Sequence, residues 1–526
     1  MPIVIVSSID NTAYQRSRRY KIHRMLSRRE LLKLSGLAAM SSSLPMFARD
    51  AAAARDLAVA QDASSTAALA AAPDYRLEIA PVTLDLSPRH TVRTIAYNGQ
   101  VPGPLLRFKE GQPVTIDVAN HSDRPEVVHW HGLFLPPDVD GATEEGTPPI
   151  AASQTTRYVF TPRPSGFRWY HTHTMAMGDL TLAQYGGQHG LLMIEPRNDP
   201  ARYDQEFFLV LHDWNGHLLA SDDGAMNPSY AVSTINGKAM GAGEPLRVKQ
   251  GQRVLLHVLN SSPTEVHWVS LAGHGLHVVA LDGNPVPTPQ TVPMLRLAPA
   301  ERVCALVEMN NPGVWIFGEV RKHVQAAGMA VVVEYADHSG AAQWQQPADL
   351  VWNYEQFSTP QAPAAAESHA GSEPAIAIPL VLESKFRGHG AMEAWMINGK
   401  SYPDTSSIPL ERGRRYRLQF INKSLDDHPL HLHRHSFELR SLGAPLRTGR
   451  GTGTSLGTSP DSGTGSGTGS GIGPRVGRGI IKDVVLVDAQ TQTDVEFTAD
   501  NPGATLFHCH QQDHMDLGFM LVFNYA

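Results

Sequence analysis

Apolar and polar positions follow the same course in three stretches of the chain. In Val114–Asn120, the apolar residues Val114, Ile116 and Val118 share one face and Thr115, Asp117 and Ala119 share the other. Val254, Leu256 and Val258 recur at the same spacing in Arg253–Asn260, as do Tyr416, Leu418 and Phe420 in Arg415–Asn422. A period of two is that of a β-strand with one face on a core. Each strand follows a turn glycine (Gly111, Gly251, Gly413) and ends on asparagine (Asn120, Asn260, Asn422). Upstream of each lies an Asn-Gly pair, 98–99, 236–237 and 398–399. Downstream come the turns Pro164-Ser165-Gly166, Asn311-Pro312-Gly313 and Asn501-Pro502-Gly503, each leading into a closing aromatic strand. Short strands between Gly and Pro turns predict an all-β chain of three Greek-key β-sandwich units. Unit one covers 73–200, unit two 201–340 and unit three 378–526. The Pro/Ala/Gln-rich stretch 341–377 is expected to be a linker draped over the surface.

Unit three carries an insert. Thr448 to Gly479 is almost wholly Gly, Thr, Ser and Arg, too poor in apolar residues to order itself. A disordered hairpin loop between the strands at Ser436–Leu439 and Val484–Val487 is expected.

Composition agrees with sandwiches: 526 residues with 45 Gly and 38 Pro suit three domains of ordinary size. A net charge of −7, with no long basic run in the folded part, gives nucleic-acid binding no electrostatic support.

The N-terminal region changes the picture. Ser27-Arg28-Arg29-Glu30-Leu31-Leu32-Lys33 precedes a short, mild apolar run, then small residues. This resembles a twin-arginine export signal and makes the export machinery an expected partner, with Met25 a candidate start. The apolar run is too short for a permanent membrane anchor. Residues 1–72 are read as signal plus disordered Ala-rich segment, and the mature protein as periplasmic or secreted. Only two cysteines are present, so no disulfide framework is expected. Cys304 is read as a packing residue.

The other cysteine lies in His508-Cys509-His510-Gln511-Gln512-Asp513-His514. On a strand, Cys509 faces one way and His508 and His510 the other. One strand can then serve two metal sites, with the cysteine backbone joining them. A thiolate with two imidazoles and a weak fourth ligand suits electron-transfer copper. The His-x-His spacing recurs at His129/His131, His171/His173 and His431/His433. Chance would give about one such pair among 25 histidines, whereas the chain has five, counting His433/His435.

Counting six residues on from each closing-turn glycine gives Cys509, Thr172 and Glu319. His508 and His510 match His171 and His173 in unit one, but Gly318 and Val320 in unit two. Units one and three are thus the ligand-bearing units. Unit two is a spacer, with His267, His274, His277 and His323 as ordinary histidines.

These motifs, with His428-Pro429-Leu430-His431-Leu432-His433, resemble the four copper motifs of the multicopper oxidases, from about residue 75 to the end. The resemblance implies three cupredoxin domains, four copper ions (one type 1, one type 2, two type 3), and a small-molecule or metal-ion electron donor with dioxygen as acceptor. It implies His428, Cys509 and His514 as type 1 ligands, and His129 and His431 as type 2 ligands. His131, His171, His173, His433, His508 and His510 would hold the type 3 pair. Asp140 matches the family's acidic residue near the cluster, where a carboxylate can relay protons; a plain turn residue before Gly141 is the alternative. A monomer is expected.

Two positions depart from the family pattern. Arg434 replaces the usual glycine after the third motif and is expected to alter the surface near the type 1 site. The axial position, ten residues after the cysteine, holds Phe519 where Met or Leu is common, with Met520 next to it. An exported structural or copper-binding protein without oxidase activity is the competing reading; the complete ligand set argues against it.

Overall fold

The computed structural model describes residues 72–197, 202–220, 226–348, 350–359, 375–385, 394–446 and 477–525. Among them, six sheets pair into three β-sandwiches. In unit one, His90–Tyr97, Tyr75–Ser87, Val114–Asn120 and Thr155–Phe160 form one sheet. Gly103–Lys109, His189–Glu195, Gly166–Thr172 and Val128–His129 form the other. Units two and three repeat this order and add strands at the edges, giving six-on-five sandwiches. The central strand Val114–Asn120 alternates buried and half-buried residues, as its pattern requires. Val114, Ile116 and Val118 meet Trp130 and Phe160 in the unit-one core.

The repeat is physical as well as sequential. Asn98, Asn236 and Asn398 have φ of 52°, 54° and 52°, and the glycines after them 70°, 72° and 77°. Two successive left-handed residues make the hairpin turn that Asn-Gly favours. Each asparagine Oδ1 then accepts from a backbone N–H of the strand paired with the one it follows, that of Glu78, Val210 or Val381.

The strand-ending asparagines form a second set. Asn120, Asn260 and Asn422 are fully buried. Their amides donate to Arg124 O, Glu265 O and Asp426 O, and their Oδ1 atoms accept from Ser122, Ser262 and Ser424 N. In units one and three this clamp holds the loop that delivers the first histidine of a motif.

Part of the expected linker does not drape. Tyr354–Phe357 forms a 3-10 turn whose Phe357 is fully buried and whose Tyr354 hydroxyl donates to Glu301. Apolar side chains in a polar stretch found core space that composition alone did not reveal. The insert is shorter than expected at its end: Arg478 pairs with Thr359, and Gly477 lies against Ser358. The rest of the insert and the twin-arginine segment lie outside the described residues. No helix among the described residues is long and apolar enough to cross a membrane.

Candidate metal centres

The first centre sits at one end of unit three. Cys509 ends the strand Thr505–Cys509, paired with His428–Leu432 so that Leu430 faces Cys509. His428 lies two residues before Leu430, on the same face. The helical turn Gln512–Asp516 brings back His514. Cys509 Sγ is 3.7 Å from His428 Nδ1 and 3.5 Å from His514 Nδ1, and the two nitrogens are 3.1 Å apart. Ser424 donates to Asn422 Oδ1 and so accepts from His428 Nε2, leaving Nδ1 with its lone pair toward the cysteine. Burial holds both imidazoles below their ordinary range, His514 down to about 3, and pushes the thiol up. Phe519 flanks His428, while Met520 turns to Ala142, Leu506 and Met515.

The second centre gathers the eight remaining histidines from units one and three. His129 stacks on His433 at 3.9 Å, and His131 on His431 at 3.8 Å. Six rings have one nitrogen held by a protein acceptor. His129 Nδ1 bonds Asp140 O, His131 Nε2 bonds Asp483 Oδ1, and His171 Nδ1 bonds Thr172 O. His431 Nδ1 bonds Asp483 O, His433 Nδ1 bonds Asp140 Oδ2, and His508 Nδ1 bonds Cys509 O. Their other nitrogens therefore carry lone pairs, and these converge. His433 Nε2 is 3.1 Å and His173 Nε2 3.3 Å from His508 Nε2, and His171 Nε2 is 3.4 Å from His131 Nδ1. His129 Nε2, His431 Nε2 and both nitrogens of His510 have no partner at all.

Buried acceptors facing one another without a donor are costly. A cation between them removes that cost, so this donor set fits metal ions. Three groups of three imidazoles here each lie within 4.8 Å, as do His428, Cys509 and His514 at the first centre. Burial also keeps the rings neutral, pushing His131, His171, His173, His431, His433, His508 and His510 well below their ordinary range. Neutral imidazole is the ligand form.

Asp140 is fully buried, with Oδ2 3.0 Å from His433 Nδ1 and 3.2 Å from His129 Nδ1. Gly141 makes this approach possible: its φ is +103°, and a Cβ would lie 1.9 Å from Val128 O. Glu145, absent from the sequence reading, lies beside this pair, 3.5 Å from His433. Burial, then the charge of Asp140, pushes its carboxyl well up. Its only signal was an acidic pair, Glu144-Glu145, in the loop after a motif.

All eleven expected ligands fall into these two centres, and unit two supplies none of them. At the unit-two counterpart of the first centre, Glu319 pairs with Val269, with His267 two residues before it. Both His267 nitrogens are taken, by Asp213 at 2.8 Å and Glu319 at 3.0 Å. This is a buried imidazolium clamped by two carboxylates, with its pKa raised to about 10 against the desolvation that opposes it.

One expectation is refined and one changes. Cys304 packs in a buried core cluster, as expected, but it also has a partner: His257 Nδ1 lies 3.3 Å from its sulfur, and His257 Nε2 bonds Glu206. The residues are 47 apart in sequence but face each other on neighbouring strands. Arg434 does not shape the surface. It is 1% exposed, and its guanidinium donates to the carbonyls of Leu135, Asn501, Pro502 and Ala504 and to Thr505 Oγ1.

Models of the multicopper oxidase family match residues 78–199, 205–334 and 378–526. The chain is 28% identical over 488 residues to multicopper oxidase MmcO of Mycobacterium tuberculosis, covering 85% of each. It is 23% identical to copper resistance protein A of Escherichia coli, covering 94% of this chain and 98% of the relative. Among solved structures, the multi-copper oxidase from Pseudomonas thermotolerans superposes with a TM-score of 0.61 at 25% identity, covering 86% of this chain and 98% of that one. Fet3p, a multicopper oxidase that functions in iron import, has a TM-score of 0.68 at 22% identity over 86% of this chain and 90% of its own, a likeness of fold.

Proposed function

The chain belongs to the multicopper oxidases, copper-dependent oxidoreductases that oxidise a donor and reduce dioxygen, and from that premise we propose how its own residues divide the work. His428, Cys509 and His514 hold the type 1 copper. His129 and His431 hold the type 2 copper, and His131, His171, His173, His433, His508 and His510 hold the type 3 pair. The observation that carries two separate centres is the convergence of imidazole nitrogens in one buried cluster beside a distinct Cys-His-His set; the split of the cluster into type 2 and type 3 ligands follows the family pattern. Bound copper supplies one-electron acceptance from the donor and four-electron delivery to dioxygen, giving water.

The protein's part is arrangement. Cys509 is bonded through its backbone to both His508 and His510, so a continuous covalent path joins the two centres. Burial excludes bulk water from both. Asp140 accepts the Nδ1–H of His433 on Oδ2, and we assign this carboxylate the relay of protons to the second centre. Glu145 stands beside it, 3.5 Å from His433, as the second carboxyl of that relay. We place the domains at 73–200, 201–340 and 378–526, and the protein, a monomer, outside the cytoplasm through the Arg28-Arg29 signal. Retention of an Arg28→Lys, Arg29→Lys variant in the cytoplasm supports that signal, and normal export refutes it.

Phenols, aromatic amines and metal ions are the donor classes to test. Copper-loaded protein given Cu(I), Fe(II), Mn(II), a phenol and bilirubin is followed by oxygen uptake, with hydrogen peroxide assayed alongside. At least one donor drives uptake without peroxide. No uptake with any, or peroxide in place of water, defeats the assignment.

A further inference from the structure

Asp483 stands between two short strands of unit three, Ile481–Lys482 and Val484–Val487, and is fully buried. Its Oδ1 accepts from His131 Nε2 at 3.1 Å, and its backbone carbonyl accepts from His431 Nδ1 at 2.7 Å. These two rings, one from unit one and one from unit three, stack 3.8 Å apart with 14° between planes. One residue therefore holds two imidazoles that the division above assigns to different copper positions.

Asp483 is itself gripped by the other units. Arg302 of unit two reaches it with both terminal nitrogens, Nη1 to Oδ1 at 2.6 Å and Nη2 to Oδ2 at 2.7 Å. Arg168 of unit one adds Nη1 to Oδ2 at 3.3 Å. Asp282 of unit two takes the backbone N–H groups of Asp483 and Val484 on Oδ2 and that of Arg302 on Oδ1. Lys482 bridges Asp282 and Glu301 at 2.9 and 3.0 Å. Three acids (Asp282, Glu301, Asp483) and three bases (Arg168, Arg302, Lys482), all at most 2% exposed, form one balanced cluster where the three units meet. Even the backbone next to His131 is fitted to it: at Gly132, with φ +81°, a Cβ would lie 2.7 Å from Asp483 Oδ2.

We infer that Asp483 is a positioning residue for the second centre, orienting His131 and His431 together, and that unit two acts on that centre through the bidentate Arg302–Asp483 pair. Unit two is thus more than a spacer. A carboxylate on the far nitrogen of a metal-binding imidazole fixes the ring and its tautomer and strengthens its donor nitrogen. Asp483 is not a further ligand, because both of its oxygens are already taken by N–H donors. A fork of two parallel bonds from a guanidinium also fixes the carboxylate plane, which a lysine cannot do.

The inference rests on the ligand division above, and the test separates the two. Purified full-length protein, Asp483→Asn and Arg302→Lys are loaded with Cu(I) under nitrogen, then oxidised and dialysed against a graded chelator. Copper per chain, the blue absorbance, the type 2 EPR signal and the far-ultraviolet circular dichroism are read. If the wild type shows no type 2 signal, the ligand division fails. If it does, both variants keep the blue band and the β-spectrum. Their second centre releases copper at about 10- to 100-fold lower chelator, with an altered type 2 EPR spectrum. Arg302→Lys, which keeps the charge but loses the fork, shifts in the same direction by less. Wild-type retention and an unchanged EPR spectrum in Asp483→Asn overturn the inference. So does parallel loss of the blue band and the second centre in both variants, because Asp483 would then serve the fold alone.

Discussion

The ring of Phe519 meets His428 edge-on, centroids 4.8 Å apart and planes at 82°. Its face lies over Trp395, at 5.6 Å and 19°. Phe519 therefore packs against one histidine of the Cys509 centre, whereas Met520 belongs to another cluster. A phenyl ring donates no electron density to a metal, and the axial group is one lever on the potential of such a site. Phe519→Met should lower the type 1 potential without loss of copper and slow the oxidation of reluctant donors such as phenols. Met520→Leu should leave the potential where it is. Redox titration of both checks this; a rise in Met520→Leu with no fall in Phe519→Met would reverse the assignment.

Cys509→Ser should abolish the blue colour and reduce oxidase turnover to that of copper-free protein, with the fold retained. The side chain is fully buried and the hydroxyl nearly isosteric, so packing changes little. Absorbance, oxygen uptake and circular dichroism measured together decide it; a blue, active variant would sink the whole assignment.

Arg434 has φ +60°, a conformation that costs a non-glycine residue of order 1 kcal/mol or more. Its bonds to four carbonyls and one hydroxyl outweigh that cost. Arg434→Ala leaves several buried acceptors unpaired and should destabilise by about 3–5 kcal/mol. Urea unfolding measures it. A loss under about 1 kcal/mol would mean that water replaces the guanidinium.

Glu126 is 2% exposed, and burial pushes its carboxyl up to about 7 despite hydrogen bonds from Gln188 and Thr172. The folded chain holds this proton where the unfolded chain, near 4.5, gives it up. Its contribution is complete below about pH 4.5 and is lost as pH rises through 7, a decline of order 3 kcal/mol. Glu126→Gln should flatten the fall in stability between pH 4.5 and 7. Denaturation series at several pH values compare the two slopes, and equal slopes would exclude Glu126 as the source.

The insert should be dispensable up to a sharp limit. Replacing residues 448–476 with a short Gly-Ser turn should leave copper content and melting nearly unchanged. Loop closure costs only about 0.6 kcal/mol per doubling of length. Extending the deletion through Gly479 removes the Arg478–Thr359 pair and should lower the melting temperature. Metal analysis and thermal scans separate the two. A large loss of copper in the shorter deletion would give the insert a role at the metal centres.

The sequence by itself determined whatever depends on neighbours along the chain. The period of two, the Asn-Gly turns and the His-x-His spacing are local, and they fixed the strands, the three units and the face on which each histidine stands. The opposition of Cys509 to His508 and His510 follows from one strand's pleat. Only the tertiary structure decided which faces meet. Asp483 and His131 are 352 residues apart, and no pattern near either one announces the other. Cys304 packs in the core as its pattern suggested, but only strand register set His257 beside it. Arg434 looked like a surface residue until the turn at Asn501–Pro502 and the carbonyl of Leu135 enclosed it. Phe357 looked like linker until unit-two and unit-three apolar side chains closed around it. In each case the deciding contact comes from register and burial, which the whole chain sets at once.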